Sequence, residues 1–185
     1  MAENFFENKD RLFESVKNEL LQASAEDQKM RNDVKDGKKE FDPQVDIKNT
    51  DKLKRIILEM GWPTKSKFGE EAAHAAWMIA QHSDKETAFQ RLCLEAMKNL
   101  SEDEIEKADL ALLEDRVRIK EGKPQLYGTQ FSVSEDGKFE PEPIEDENNL
   151  DKRRKEMGLE PFLEYKTHMM KLWREHEEML EKKNL

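Results

Sequence analysis

Cysteine is nearly missing from this chain. Cys93 stands alone among 185 residues, so no intrachain disulfide can form and no cysteine zinc site has the ligands it needs. Long apolar runs are missing too. No window approaches the roughly 20 apolar residues needed to cross a bilayer, and the opening Met-Ala-Glu-Asn-Phe-Phe-Glu has no apolar stretch of signal-peptide length. Together these absences imply a reducing, cytoplasmic setting without membrane contact. There is also no block of positive charge: 32 Lys and Arg face 42 Asp and Glu, giving a net charge of −10. A nucleic-acid groove needs a basic stripe to displace phosphate counterions, so that partner class is excluded. The catalytic signatures His-Glu-x-x-His, a glycine-rich phosphate loop and Gly-x-Ser-x-Gly are all absent. His74 and His82 lie eight residues apart, about 80° off a shared helical face, so one metal cannot easily take both. No metal and no cofactor is expected.

What is present is helical. Charged residues make up 40% and hydrophobic ones 36%, so a core requires well-placed apolar side chains. From Glu3 to about Arg31 they fall at Phe5, Phe6, Leu12, Phe13, Val16, Leu20 and Leu21, the steps of an amphipathic helix. Residues 34–44, with Asp36-Gly37 and Asp42-Pro43, read as a loop. A second helix over Asp46 to Met60 ends at Gly61. An alanine-rich third helix runs from near Gly69 to His82, its small side chains suiting the centre of a bundle. Ser83 to Glu86 and Ser101 to Glu104 both fit the capping-box pattern that opens a helix.

The period then changes. Gln125 to Val133, the turn signal Asp136-Gly137 and Lys138 to Glu140 form a short hairpin that Pro141 and Pro143 cannot extend. A short helix covers Leu150 to Met157, and a last one starts at Pro161 and runs to about Lys183. The expected fold is mainly α: an irregular helical bundle with one small β-hairpin and a long C-terminal helix. Its segments are an N-terminal helix and loop (1–45), a helical core with hairpin (46–165) and a C-terminal helical extension (166–185). The stripe Phe162, Tyr165, Met169, Trp173, His176 in the last helix docks either on its own domain or on a second subunit.

Candidate chemistry gathers between Gly61 and Gln130. His82 ends the alanine-rich helix at the negative pole of the helix dipole, with Asp84 near enough to orient its ring. The pair reads as a general acid/base or as a helix-end contact. Asp115 and Arg116 follow on a later helix, where Arg116 can grip an anion bidentately or form an internal ion pair. On an extended strand, Gln125, Tyr127 and Thr129 share one face, and Leu126, Gly128 and Gln130 the other. Their hydroxyls and amides suit a polar ligand, or a hairpin that binds its own loops. Trp62 and Trp77 read as core.

The pattern of Asp27-Gln28 with Arg31, Gly61-Trp62-Pro63, Gly69, Ala75-Ala76-Trp77 through Gln81-His82, and Asp84 resembles a widespread bacterial family catalogued as domain of unknown function 6624. The likeness continues with Asp115-Arg116, Gly122, Gln125-x-Tyr-Gly-Thr-Gln130, Pro143, Asp146, Arg153, Gly158-Leu159 and Tyr165, covering about residues 20 to 165. The resemblance implies no mechanism, but it favours a shared polar pocket. The resulting expectation is one cleft built from Gln28, Arg31, His82, Asp84, Asp115, Arg116, Gln125, Tyr127, Thr129 and Gln130. There His82, Asp84, Asp115 and Tyr127 are catalytic and the others bind substrate. Two functions fit: hydrolysis or group transfer on a small polar or anionic substrate, and non-catalytic binding of a small ligand or a protein partner. A homodimer through the C-terminal helix is a third expectation.

Overall fold

The computed structural model describes residues 2–183, and side chains for 9–181, so the side chains of Phe5 and Phe6 lie outside the described residues. The described residues are about 70% helical, in eight α-helices with one two-stranded antiparallel hairpin and a long C-terminal helix. The chain divides into two compact units, Met1–Leu110 and Ala111–Leu185. They partition it differently from the three segments drawn from the sequence, which follow helices and linkers rather than contacts.

In the first unit, α1 (Ala2–Lys35) buries Val16, Leu20, Ala23, Asp27 and Met30. These positions step by four and three, which keeps one seam of a helix turned inward. The helix runs about one turn past Arg31, until Gly37 at φ +64° breaks it. Helix α2 (Pro43–Met60) starts earlier than its sequence reading. Asp42 and Pro43, read as a turn, are its opening: Asp42 accepts from Gln44 N at 2.9 Å, and Pro43 takes a position where a missing N–H costs nothing. Gly61, at φ +77°, closes it by donating to Ile57 O at 2.9 Å.

A short helix α3 (Lys65–Phe68), not anticipated, precedes α4 (Glu70–His82). Helix α4 packs on α1, α2, α3 and α5 (Thr87–Lys98), which its alanines at 72, 73, 75, 76 and 80 permit. Neither capping box forms. Glu86 stands at the N-cap of α5 without a side-chain bond to the helix's own N–H groups. Ser83 instead ends α4, donating to Ile79 O at 2.8 Å and sharing a 2.8 Å hydrogen bond with Thr50. Buried as it is, Ser83 finds the carbonyl one turn behind it before any donor ahead. Ser101 precedes only a single 3-10 turn, Glu102–Glu104, and the Glu104 carboxylate accepts from Ser66 N at 2.9 Å.

Helix α6 (Lys107–Lys120) begins as the first unit ends and lies mostly in the second. Strands β1 (Phe131–Val133) and β2 (Phe139–Pro141) pair antiparallel, with Ser132 opposite Glu140. Helices α7 (Leu150–Glu156) and α8 (Phe162–Lys183) follow. The aromatic stripe of α8 docks on the hairpin of its own unit. Trp173 stacks on Phe139 with centroids 4.8 Å apart, and Tyr165 tilts against Phe131 at 6.0 Å. His168 and His176 are exposed.

Candidate functional site

Among the described residues, each unit holds a polar cluster centred on a buried aspartate. In the first, the cluster grows from the inward seam of α1, where a carboxylate takes a place that apolar residues hold above and below it. Asp27 is 2% exposed. Its Oδ1 accepts from Arg31 Nε at 3.0 Å, and its Oδ2 contacts His82 Nδ1 at 2.9 Å and accepts from Gln28 Nε2 at 3.0 Å. Arg31 Nη2 reaches on to Asp46 Oδ1 at 2.8 Å.

The partner that orients His82 is therefore Asp27, one turn before Arg31 on α1. Asp84, the partner chosen from sequence, is an exposed residue beside it in the chain. Chain proximity was a poor guide because residues 82 and 84 flank the end of α4, where the backbone turns away. His82 Nδ1 also lies 3.1 Å from Arg31 Nε, yet one nitrogen cannot donate to Asp27 and accept from Arg31. Burial alone would raise the Asp27 carboxyl, but the hydrogen bond and charge of His82, with the Arg31 charge and Gln28, hold it below its ordinary value. As a carboxylate it only accepts, which fixes the proton on Nδ1. Nε2 of His82 has no hydrogen-bond partner among the described residues.

Beside this cluster lies a hollow of about 150 Å³. Arg31, Asp46, His82, Asp84, Lys85 and Glu86 supply its charged and titratable wall, Thr50 and Ser83 two hydroxyls, and Phe41, Pro43 and Ile47 an apolar side. The hydroxyls are committed: Thr50 Oγ1 also lies 2.7 Å from Asp46 O. Burial pushes the Asp46 carboxyl upward despite the Arg31 charge. Cys93 is fully buried, and burial pushes its thiol well above the usual range. It is a packing residue rather than a nucleophile.

The second cluster is built round Asp115. The segment Gln125–Gln130 is not a strand; it curls round this fully buried carboxylate. Oδ1 accepts from Leu126 N at 2.7 Å and Tyr127 N at 3.1 Å. Oδ2 accepts from Tyr127 N at 3.1 Å, and from Thr129 N and Oγ1 at 3.0 Å each. Burial pushes Asp115 above its ordinary value, and these bonds only partly pull it back. Gln125 is spent as well: its amide donates to Gln130 O at 3.0 Å and Glu142 O at 2.7 Å, and accepts from Gln130 N at 2.8 Å. Gln130 Nε2 donates to Thr129 Oγ1 at 3.0 Å. Arg116, half-buried, follows Asp115 on α6.

Two arginines close the loop from outside. Arg154, 1% exposed, donates to Tyr127 O and, at 2.7 Å, to Glu160 O. Its guanidinium lies 4.8 Å from the Tyr165 ring centroid. Arg153 Nε donates to Leu126 O at 2.8 Å. Gly128 sits at φ +68°, and a Cβ there would come 2.7 Å from the Phe162 ring. Tyr127 is half-buried, and burial pushes its phenol up to about 12, so it stays protonated at neutral pH.

Sequence reasoning missed Asp46, Thr50 and Arg154. Arg154 left no signal, because it sits in a run of charged residues that reads as surface. A signal did exist for Asp27: it falls on the seam of α1 and precedes Arg31 by four.

Fold and site together define a mainly α-helical protein with a His–Asp–Arg cluster beside a small hollow and a carboxylate-centred loop. The chain belongs to a family of unknown function (DUF6624), whose model matches residues 14–173. No curated protein and no solved structure matches it. Among the described residues no group of His, Cys, Asp and Glu could hold a metal ion, and no helix is long and apolar enough to cross a membrane.

Proposed function

We propose that the hollow beside His82 is a small-molecule site, at which His82 moves a proton during hydrolysis or group transfer on a small polar substrate. The observation that carries this reading is the imidazole held through Nδ1 by Asp27, with Nε2 left unbonded at a hollow. Asp27 sets the tautomer and ring angle, so Nε2 is the nitrogen that takes a proton from an attacking group and returns it to a leaving group. Arg31 stabilises the Asp27 carboxylate and is itself steadied by Asp46. The loop around Asp115 acts as scaffold in this reading.

A second reading is binding without turnover. It is favoured by the state of the candidate nucleophiles: Ser83 and Thr50 share two hydroxyl protons among contacts to each other, Ile79 O and Asp46 O, and Cys93 is sealed in the core. Any turnover at His82 therefore uses water or a second substrate as nucleophile.

His82→Asn and His82→Gln separate the readings. Asparagine keeps a donor near the Nδ1 position for Asp27 and deletes Nε2; glutamine reaches toward the Nε2 position instead. On a panel of small esters, amides and phosphate monoesters, general acid/base catalysis predicts a loss of about 10²–10⁴-fold in His82→Asn, with near-native melting. Turnover unchanged in His82→Asn refutes the catalytic role. Ligand binding without any turnover selects the second reading.

A further inference from the structure

Helix α8 carries a second seam beside the one that docks on the hairpin. Leu163, Lys166, Met170, Trp173, Glu177 and Leu180 recur at steps of three and four, the spacing that holds side chains on the contact line of two paired helices. Leu163 is 74% exposed, Leu180 42% and Met170 41%, and Glu177 is exposed as well. Lys166 and Trp173 are half-buried. Past His176, no hydrogen bond or ion pair joins α8 to another element among the described residues.

Two hollows flank this seam. One, of about 290 Å³, is lined by Met170 and Trp173 with Phe139 of β2; the other, of about 310 Å³, by Leu163 with Pro141 and Ile144. Lys166 borders both, so they meet at its side chain. From Leu163 to Leu180 the seam is roughly 26 Å long at 1.5 Å per residue. Net charge does not choose an occupant. Lys138, Lys166 and Arg174 stand against Glu140, Glu147 and Asp151 across the two hollows, and Asp151 already accepts from Phe162 N at 2.7 Å.

The order of residues along the seam does choose. Lys166 and Glu177 form no ion pair among the described residues, and on one helix they lie roughly 16 Å apart, out of each other's reach. We propose that a second copy of this chain occupies the groove, its α8 antiparallel to the first about a two-fold axis midway between Lys171 and Leu172. Leu163 then meets Leu180 of the second copy, Lys166 its Glu177 and Met170 its Trp173, because all three pairs share that midpoint. A parallel alignment would set Lys166 on Lys166 and Glu177 on Glu177, so like charges oppose it. Symmetry makes each contact occur twice. The pairing stands apart from the chemistry proposed at His82.

Sedimentation of the full chain tests it, over about 1–500 μM as suits a modest interface. A reversible equilibrium between one chain and two is expected. Lys166→Glu, Glu177→Lys and Leu180→Asp should each weaken association about 10-fold or more. The double variant Lys166→Glu with Glu177→Lys restores opposite charges in antiparallel register and should return association to within about 3-fold of wild type. Leu172→Ala, at a position as exposed as Met170 but on the far side of α8, should leave it unchanged. Circular-dichroism melts near that of wild type show that each variant is folded, and recovery in the double variant excludes misfolding as the cause of the single losses. A single chain across the whole range overturns the proposal. So do charge reversals without effect, a double variant no better than the singles, or an equal loss in Leu172→Ala.

Discussion

Replacing Asp115 with asparagine asks how much of the second unit hangs on one carboxylate. Four donors meet it: the N–H groups of Leu126, Tyr127 and Thr129, and the Thr129 hydroxyl, at 2.7 to 3.1 Å. Charge-assisted bonds contribute about 1.5–3 kcal/mol each, which would sum to a very large effect. That sum is not the expected loss. Burial raises Asp115 despite these bonds, so desolvating the anion already offsets much of their gross value. The better estimate counts what an amide of the same shape leaves unmade. With its oxygen placed at Oδ2, where three contacts arrive, the NH₂ faces the Leu126 N–H donor to donor. Two buried groups then lack partners, at about 1–3 kcal/mol each. The expected destabilisation is about 3–4 kcal/mol.

Urea denaturation followed by circular dichroism measures this directly. With a slope of about 1–3 kcal/mol per molar urea, the midpoint falls by roughly 1–4 M. Amide hydrogen exchange locates the loss, since the Leu126, Tyr127 and Thr129 N–H groups should exchange faster than those of the first unit. A change under about 1 kcal/mol with these amides still protected refutes the scaffold role. Retained stability with lost ligand binding would return Asp115 to the site where the sequence placed it.

Gly128→Ala should cost about 2–4 kcal/mol, from a left-handed backbone that alanine resists and a Cβ pressed into the Phe162 ring; a neutral melting shift would contradict the packing described. The two tyrosines, at 127 and 165, are both pushed upward by burial, Tyr127 to about 12. Phenolate absorbance should therefore show little ionisation near the free value of about 10, and a full step there would refute their burial. Asp27→Asn tests linkage. Because Asp27 is held below its ordinary value, its stabilising contribution is present above that value and is lost as pH falls through the lower native one. The stability gap between wild type and variant should hold from neutral pH down to the ordinary carboxylate range and shrink below it. A gap that widens on acidification has the wrong sign.

Local signals decided which parts of this fold were legible in the sequence. Gly61, the alanines of α4 and the Asp136-Gly137 turn each act within a few residues, and the helices and hairpin lie where those residues imply. Serine was ambiguous. Ser83 has the spacing of a cap yet bonds backward, because burial beside Thr50 decided its geometry. The Gln125–Gln130 segment misled more deeply. Alternation predicts a strand, but the N–H groups of Leu126, Tyr127 and Thr129 turn toward one carboxylate ten or more residues away, and no local pattern announces that. His82 was recognisable as a candidate from its place at the end of α4. Its partner was not, since Asp27 lies 55 residues earlier.

Two of the buried aspartates, Asp27 and Asp115, show why the proposed function is placed in the first unit. Asp115 is surrounded mainly by main-chain N–H groups, and whatever it stabilises ends in the backbone of the loop. Asp27 is surrounded by side chains, and one of them carries a second titratable atom. A carboxylate can influence chemistry beyond itself only through a group that also faces a ligand, and imidazole has two nitrogens for that purpose. Burial acts on both carboxylates, but cations outweigh it at Asp27 and dipoles do not at Asp115. The acid that stays ionised through a neighbour with a spare nitrogen is the one equipped to direct a proton; the other is equipped to hold a loop.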